Sequence, residues 1–382
     1  MLVGFKLSRD IPIALLPALL GGLKEAESVV FETQPPGLAC TCEPGWGAVL
    51  EQALGARLSA LGEPWEARVS AGVMPDVEAF YELADAVLTV IVPSGLELPP
   101  ELGTMLTEWD VQLVAMRRLT PAGGRQPLAL EFYFDGWSRY QGRRPQLHAL
   151  SLRWGIDICL TRSDSKRPRR RLIAFDMDST LIQCEVIDEL AVRAGVGAEV
   201  AEVTARAMRG ELDFCGSFRE RMARLRGLAE SELTAVADTL PLMPGAASLM
   251  RILQAQGHYT VILSGGFDLY ARQLQSLLGF TEVHANTLQI EAGVLTGHVQ
   301  GEIVDGDRKV ALLREIAAAQ GFPMADTVAV GDGANDLPML DAAGLGVAFH
   351  AKPLVRERAA CAVNHAPLDA LLHLLGVAQS RG

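Results

Sequence analysis

The stretch Leu172-Ile173-Ala174-Phe175-Asp176-Met177-Asp178-Ser179-Thr180 decides how the C-terminal half of this 382-residue chain folds. An apolar run passes directly into acids and hydroxyls, the pattern of a strand buried on both faces that breaks off into a polar loop. The pattern recurs downstream. Tyr259–Leu263 runs into Ser264-Gly265-Gly266, Thr327–Val330 runs into Gly331-Asp332-Gly333-Ala334-Asn335-Asp336, and Leu345–Phe349 is a further apolar run, with helical stretches between them. Such alternation predicts an α/β fold with a Rossmann-like parallel sheet over residues 171–382. Ligands of these sheets bind at the carboxyl ends of the strands. The unusual residues fall there.

Carboxylates from separate loops that meet on one sheet edge repel one another unless a cation holds them, and an all-oxygen donor set points to Mg²⁺. Asp176, at the strand end, is placed to attack phosphorus and form an acyl phosphate. Asp178, two residues on, can protonate a departing alkoxide and afterwards activate water. Ser264 and Lys309 offer a hydroxyl donor and a fixed positive charge to phosphoryl oxygens, and Asp332 joins Asp176 and Asp178 as a metal ligand.

Apolar residues make up 49% of the chain and charged residues 21%, which excludes a disordered or collagen-like protein. The net charge of −12 repels phosphate polymers and anionic lipid, so neither nucleic acid nor a membrane is an expected partner. Six scattered cysteines, with Cys40 and Cys42 forming only C-x-C, read as thiols of a reducing compartment. The apolar run Ile11–Gly22 is interrupted by Pro12 and Pro17 and lacks a convincing small-residue cleavage site. A cytoplasmic protein is expected.

The polar, basic stretch Ser163–Arg171 marks a linker. Before it, a strand–helix–strand–strand–helix–strand order occurs twice with a period near 80. The first copy reads Leu2–Leu7, Pro12–Ala26, Ser28–Glu32, Leu38–Cys42, Trp46–Leu61 and Trp65–Ser70. The second reads Ala86–Val92, Pro100–Trp109, Val111–Leu119, Leu128–Phe134, Pro145–Trp154 and Ile156–Leu160. Two ferredoxin-like α+β modules are therefore expected, at 1–80 and 81–165.

With these residues in view, the chain resembles the haloacid-dehalogenase-like superfamily. F-D-M-D-S-T-L-I, S-G-G, Lys309 and G-D-G-A-N-D are similar to its four motifs, in order. Asp178 favours its phosphatases and phosphotransferases over its dehalogenases and transport ATPases. In that superfamily, an insert such as 185–254, with helical periodicity throughout, resembles a cap that closes over the site. Phe214 and Arg221 are seven apart and share a helix face, and Arg221 with Glu185 would suit a zwitterion, although Arg221 also lies in a charged run that reads as salt-bridged surface.

The stretch from Ala207 to Arg221 looks like the cap of the phosphoserine phosphatase family. That resemblance implies that Glu185, Met208, Phe214 and Arg221 contact the substrate, with Ser264, Gly265, Lys309 and Asn335 around its phosphate and carboxylate. It implies Mg²⁺-dependent hydrolysis of O-phospho-L-serine to L-serine and phosphate through an aspartyl phosphate. The segment Thr287–Val299, turning at Gly293, is similar to that family's flap. The two N-terminal modules resemble paired ACT-type regulatory modules, which implies amino-acid binding or a homodimer formed through them. Their usual Asp-x-Pro-Gly turn appears only as Asp10-Ile11-Pro12-Ile13, with Pro93-Ser94-Gly95 in the second copy. Hydrolysis of another small phosphomonoester, phosphotransfer, and an amino-acid sensor acting on a partner are the competing functions.

Overall fold

The computed structural model describes residues 2–7, 28–33, 36–41, 65–70, 84–111, 113–120, 127–163 and 170–377, with positions 52 and 56. They fall into two compact units: 1–167 with 364–366 and 370–382, and 168–363 with 367–369. The expected helices Pro12–Ala26 and Trp46–Leu61, the Asp10–Ile13 turn, Cys42 and most of the linker lie outside the described residues.

In the first unit, strands β1 (Leu2–Leu7), β2 (Ser28–Thr33), β3 (Pro36–Thr41) and β4 (Trp65–Ser70) precede β5 (Ala86–Val92), helix α1 (Glu101–Glu108), β6 (Leu113–Arg118), β7 (Leu128–Phe134), helix α2 (Arg144–Trp154) and β8 (Asp157–Arg162). One eight-stranded sheet results, ordered β4-β1-β3-β2-β6-β7-β5-β8. Counted inward from its outer edge, each half has the order fourth, first, third, second, and the halves join where β2 pairs antiparallel with β6, Val29 opposite Met116. Alternation along β5 sends Leu88 and Val90 to a core with Leu106, Trp109, Phe132 and Leu147. Asp157, fully buried, accepts the backbone N–H groups of Asn364 and Ala366 at 2.6 and 2.9 Å, so the C-terminal segment is part of this unit.

The second unit opens with β9 (Leu172–Phe175), whose four residues are all buried. Helices α3 (Val186–Arg193), α4 (Gly197–Met208), α5 (Phe214–Arg224), α6 (Glu230–Ala237) and α7 (Ala246–Ala255) follow. Then come β10 (Tyr259–Phe267), α8 (Asp268–Leu278), β11 (Glu282–Glu291), β12 (Val294–Gln300), α9 (Gly306–Ala319), β13 (Thr327–Gly331), α10 (Leu337–Ala342), β14 (Leu345–Phe349), α11 (Pro353–Arg358) and β15 (Cys361–Val363). The sheet order is β12-β11-β10-β9-β13-β14-β15, parallel except for the β11–β12 hairpin. The chain's first strand in this sheet is therefore central, and β10 and β13 leave it in opposite directions. That is the topological switch point at which a crevice forms.

Two expectations change. The strand expected at Tyr259–Leu263 continues to Phe267, because Ser264-Gly265-Gly266 bulges within it. Between Leu263↔His284 and Phe267↔Asn286 the register advances further on β10 than on β11. The cap is also shorter than 185–254. Ile182 bridges to Leu242, and Met243 N–H donates to Leu181 O at 2.8 Å, which closes the insert there. The next helix, α7, packs with α8 and is pinned by Ser248 Oγ donating to Asp369 at 2.7 Å. Cap and core helices alike bury one apolar face, so periodicity alone cannot separate them.

Phe175 is fully buried and meets Phe280 edge to face at 5.7 Å. Phe175→Ala should lower the unfolding free energy by about 3–5 kcal/mol, read as an earlier urea midpoint; an unchanged midpoint would contradict this placement.

Candidate active site

The site is assembled from the ends of β9, β10 and β13 and the first turn of α9. Asp176 leaves β9 with its N–H donating to Val330 O at 2.9 Å, which fixes the loop against the neighbouring strand. Asp305 caps α9 by accepting Arg308 N–H at 2.9 Å, and this start sets the direction of Lys309. The Lys309 ammonium, wholly buried, donates to Asp176 Oδ1 at 2.8 Å and Asp336 Oδ1 at 2.6 Å. Asp336 also accepts Gly333 N–H at 2.9 Å, which ties down the loop that presents Asp332.

Asp176, Asp332 and Asp336 each offer a carboxylate oxygen, all within 4.8 Å of one another, and all three residues are buried. One buried ammonium does not balance three carboxylates. Lys352, half exposed, stands 3.8 Å from Asp332 and helps only in part. Burial and then the Asp336 charge push Asp176 up to about 7 against the pull of Lys309. Burial, Asp176 and Asp336 push Asp332 up to about 8. On Lys309, burial alone would lower the pKa, but Asp176 and Asp336 together raise it above the ordinary lysine range. Hard oxygens with surplus negative charge fit a divalent cation.

The sequence reading set Asp178 beside Asp176 and Asp332 as a ligand; the structure gathers Asp336 there and leaves the Asp178 side chain outside that cluster. Asp178 Oδ1 instead faces Val186 N–H at 3.4 Å, near the cap entrance. Burial, then Glu185 and then Asp176, raise its pKa well above the usual carboxylate range. A carboxyl whose surroundings favour its protonated form is suited to donating a proton.

Above these loops lies a cavity of about 690 Å³, into which Asp176, Asp178, Ser264, Gly265, Asp332 and Asn335 face from the core, and Glu185, Met208, Phe214 and Arg221 from the cap side. Glu185 begins α3 and accepts Ser179 Oγ–H at 3.1 Å. Arg221 projects from α5, and its buried Nε has no hydrogen-bond partner. Burial holds the Arg221 pKa below the ordinary value, opposed by Glu185, Asp188 and Asp178. The salt-bridged surface face of that run is instead made by its neighbours, Glu220 to Arg206 at 2.7 Å and Arg224 to Glu199 at 3.0 Å. Phe214 presses on Gly265: a Cβ there would sit 2.8 Å from its ring. Met208 lines the cavity but is 73% exposed.

The β11–β12 hairpin reaches the cap. Gly227 N–H donates to Leu295 O at 2.8 Å, Leu295 N–H to Leu228 O at 2.9 Å, and Glu230 N–H to Gly293 O at 2.9 Å. Lys352, Asp188 and Asp336 were not among the expected site residues. Asp336 closes the same G-D-G-A-N-D loop as Asp332, and Lys352 follows β14, so the strand-end rule could have found both.

Strand-end acids gathered around a buried lysine on a doubly wound sheet define a phosphoryl-handling hydrolase class, and residues 173–341 match the haloacid dehalogenase-like hydrolase family. The chain is 52% identical over 293 residues to a phosphoserine phosphatase of Streptomyces coelicolor, covering 74% of this chain and 71% of that one. A solved structure of a probable phosphoserine phosphatase from Vibrio cholerae superposes with a TM-score of 0.60 at 37% identity, over 80% of this chain and 91% of that one. A substrate-bound phosphoserine phosphatase structure superposes with a TM-score of 0.51 at 38% identity, over 53% of this chain and 97% of that one. The chain belongs to the phosphoserine phosphatase family of the haloacid dehalogenase-like hydrolases.

Lys309→Ala would leave Asp176 and Asp336 facing each other in a dry site, and it should cost about 3–5 kcal/mol of stability. Thermal unfolding should show an earlier midpoint, partly recovered by excess Mg²⁺; a midpoint equal to that of the wild type would contradict the role given to this cation.

Proposed function

We propose that the chain is a Mg²⁺-dependent enzyme that hydrolyses O-phospho-L-serine to L-serine and inorganic phosphate through an aspartyl phosphate on Asp176. The observation that carries this reading is the two-ended cavity. At its floor lie Ser264, Asp176 and Asp332, with the Lys309 ammonium bonded to Asp176 behind them, a set suited to a phosphoryl group and a cation. On its cap side, the Arg221 guanidinium, whose buried Nε has no hydrogen-bond partner, and the Glu185 carboxylate match the carboxylate and ammonium of a free amino acid. Phe214 closes over Gly265, which favours a small substrate.

A carboxylate oxygen of Asp176 attacks phosphorus, and the serine alkoxide leaves with the proton of Asp178. L-Serine departs, and Asp178 is left ionised. Asp178 then takes a proton from a water molecule whose oxygen attacks the same phosphorus. The bond to Asp176 breaks, which releases phosphate and restores both acids. Lys309 and the Ser264 hydroxyl stabilise charge on the phosphoryl oxygens throughout. Asp176 and Asp332, with Asp336 beside them, would hold Mg²⁺, which supplies Lewis-acid stabilisation of the same charge.

For the N-terminal unit we assign homodimer formation. Among the described residues β4 and β8 end its sheet, and sheet edges can pair with a second copy. Cys159, Cys184, Cys215 and Cys361 are thiols rather than disulfides, and no helix among the described residues is long and apolar enough to cross a membrane.

Phosphate release from free L-phosphoserine should stop with a chelator and return with Mg²⁺, and Asp176→Asn should abolish it. Arg221→Ala should raise KM for phosphoserine about tenfold to a hundredfold and barely change turnover of p-nitrophenyl phosphate. Equal losses on both substrates would remove the carboxylate clamp and favour a general phosphomonoesterase.

A further inference from the structure

Asn286 lies on β11, 1% exposed, and both heteroatoms of its side-chain amide are engaged. Nδ2 donates to the carbonyl oxygen of Gly265 at 2.8 Å, and Oδ1 accepts Val304 N–H at 2.9 Å. The Gly265 carbonyl belongs to the same peptide group as Gly266 N–H, which donates to Ser264 Oγ at 2.9 Å. The bulge leaves this peptide without a regular ladder partner on β11, because the paired register jumps from Leu263 to Phe267. The side chain of Asn286 supplies the missing donor.

We infer that Asn286 is a positioning residue for the phosphoryl-binding hydroxyl, acting on Ser264 through the plane of the Gly265–Gly266 peptide. A hydrogen bond to an amide oxygen polarises the conjugated N–H and makes it a stronger donor. The Ser264 oxygen that accepts from it has one lone-pair direction occupied, so its own proton is turned away from Gly266. Accepting a bond also makes that O–H a better donor. The cavity is where a phosphoryl oxygen would receive it. The backbone here packs closely: a Cβ at Gly266 would stand 2.7 Å from Met177 Cε, 2.8 Å from Asp178 Oδ2 and 3.1 Å from Ser264 Oγ. The other half of the amide holds Val304, next to the Asp305 cap that aims Lys309. That second bond holds the amide in the orientation that meets Gly265.

The inference rests on the phosphatase reading, and a double-mutant cycle separates the two. Wild type, Asn286→Leu, Ser264→Ala and the double variant are compared as full-length proteins on L-phosphoserine with saturating Mg²⁺. Ser264→Ala should lower kcat about a hundredfold and Asn286→Leu about tenfold, with KM changed less than about twofold. In the Ser264→Ala background, Asn286→Leu should change kcat by less than about twofold, since the group it acts through is gone. The same tenfold loss in both backgrounds would overturn the inference and leave Asn286 a packing residue. Asn286→Asp, which keeps the volume and the acceptor for Val304, goes through the same cycle should the leucine variant not fold. Wild-type protein that turns over p-nitrophenyl phosphate but not phosphoserine would count against the substrate assignment alone, and the cycle is then read on the aryl ester.

Discussion

The clasp of one lysine between two acids holds the catalytic unit and its chemistry together. A lysine buried without a partner would lose its proton or unfold its surroundings, and two buried carboxylates without a cation would do the converse. Lys309, Asp176 and Asp336 solve both problems at once, at 2.8 and 2.6 Å. The partners come from elements far apart in sequence, and the central position of β9 brings them together. Negative charge remains after the clasp has formed, and that remainder suits the site to a divalent cation, whose charge a phosphoryl group could then meet.

Much of this was legible in the residues because a fully buried strand has a distinctive signature. Leu172–Phe175 and Leu345–Phe349 form strands over the residues the reading gave them, and the strand-end residues Asp176, Ser264 and Asp332 line one cavity, with Lys309 reaching Asp176 from the first turn of α9. What stayed hidden depends on tertiary partners. The bulge at Ser264–Gly266 could not be read, because a bulge is defined by the register of β11 opposite it. The three-residue strand Cys361–Val363 is too short to show a period. The carboxylate of Asp178 stands apart from the three-acid cluster and faces Val186 N–H, a contact that spacing does not encode. Asn286 is one polar residue in an alternating strand until the Gly265 carbonyl is placed against it.

The cap is joined to the core by more than its two stems. The three backbone hydrogen bonds from 227–230 to the β11–β12 hairpin, with Phe214 against Gly265, link the cap to the edge of the sheet. Asn286 lies on β11, the strand that leads into this hairpin, so the hairpin that touches the cap also carries the amide that steadies the phosphate loop.

The acceptance of the Asn364, His365 and Ala366 backbone N–H groups by Asp157 bears on how this polypeptide can be dissected. Asn364 and Ala366 are supplied by sequence some two hundred positions later, so neither compact unit is a continuous stretch of chain. Scissors applied at the linker would produce an amino-terminal fragment short of its last pieces. They would also produce a carboxy-terminal fragment ending in backbone amides whose acceptor had been discarded. Genetic transplantation of either half would have to carry its distant complement along, for instance by circular permutation.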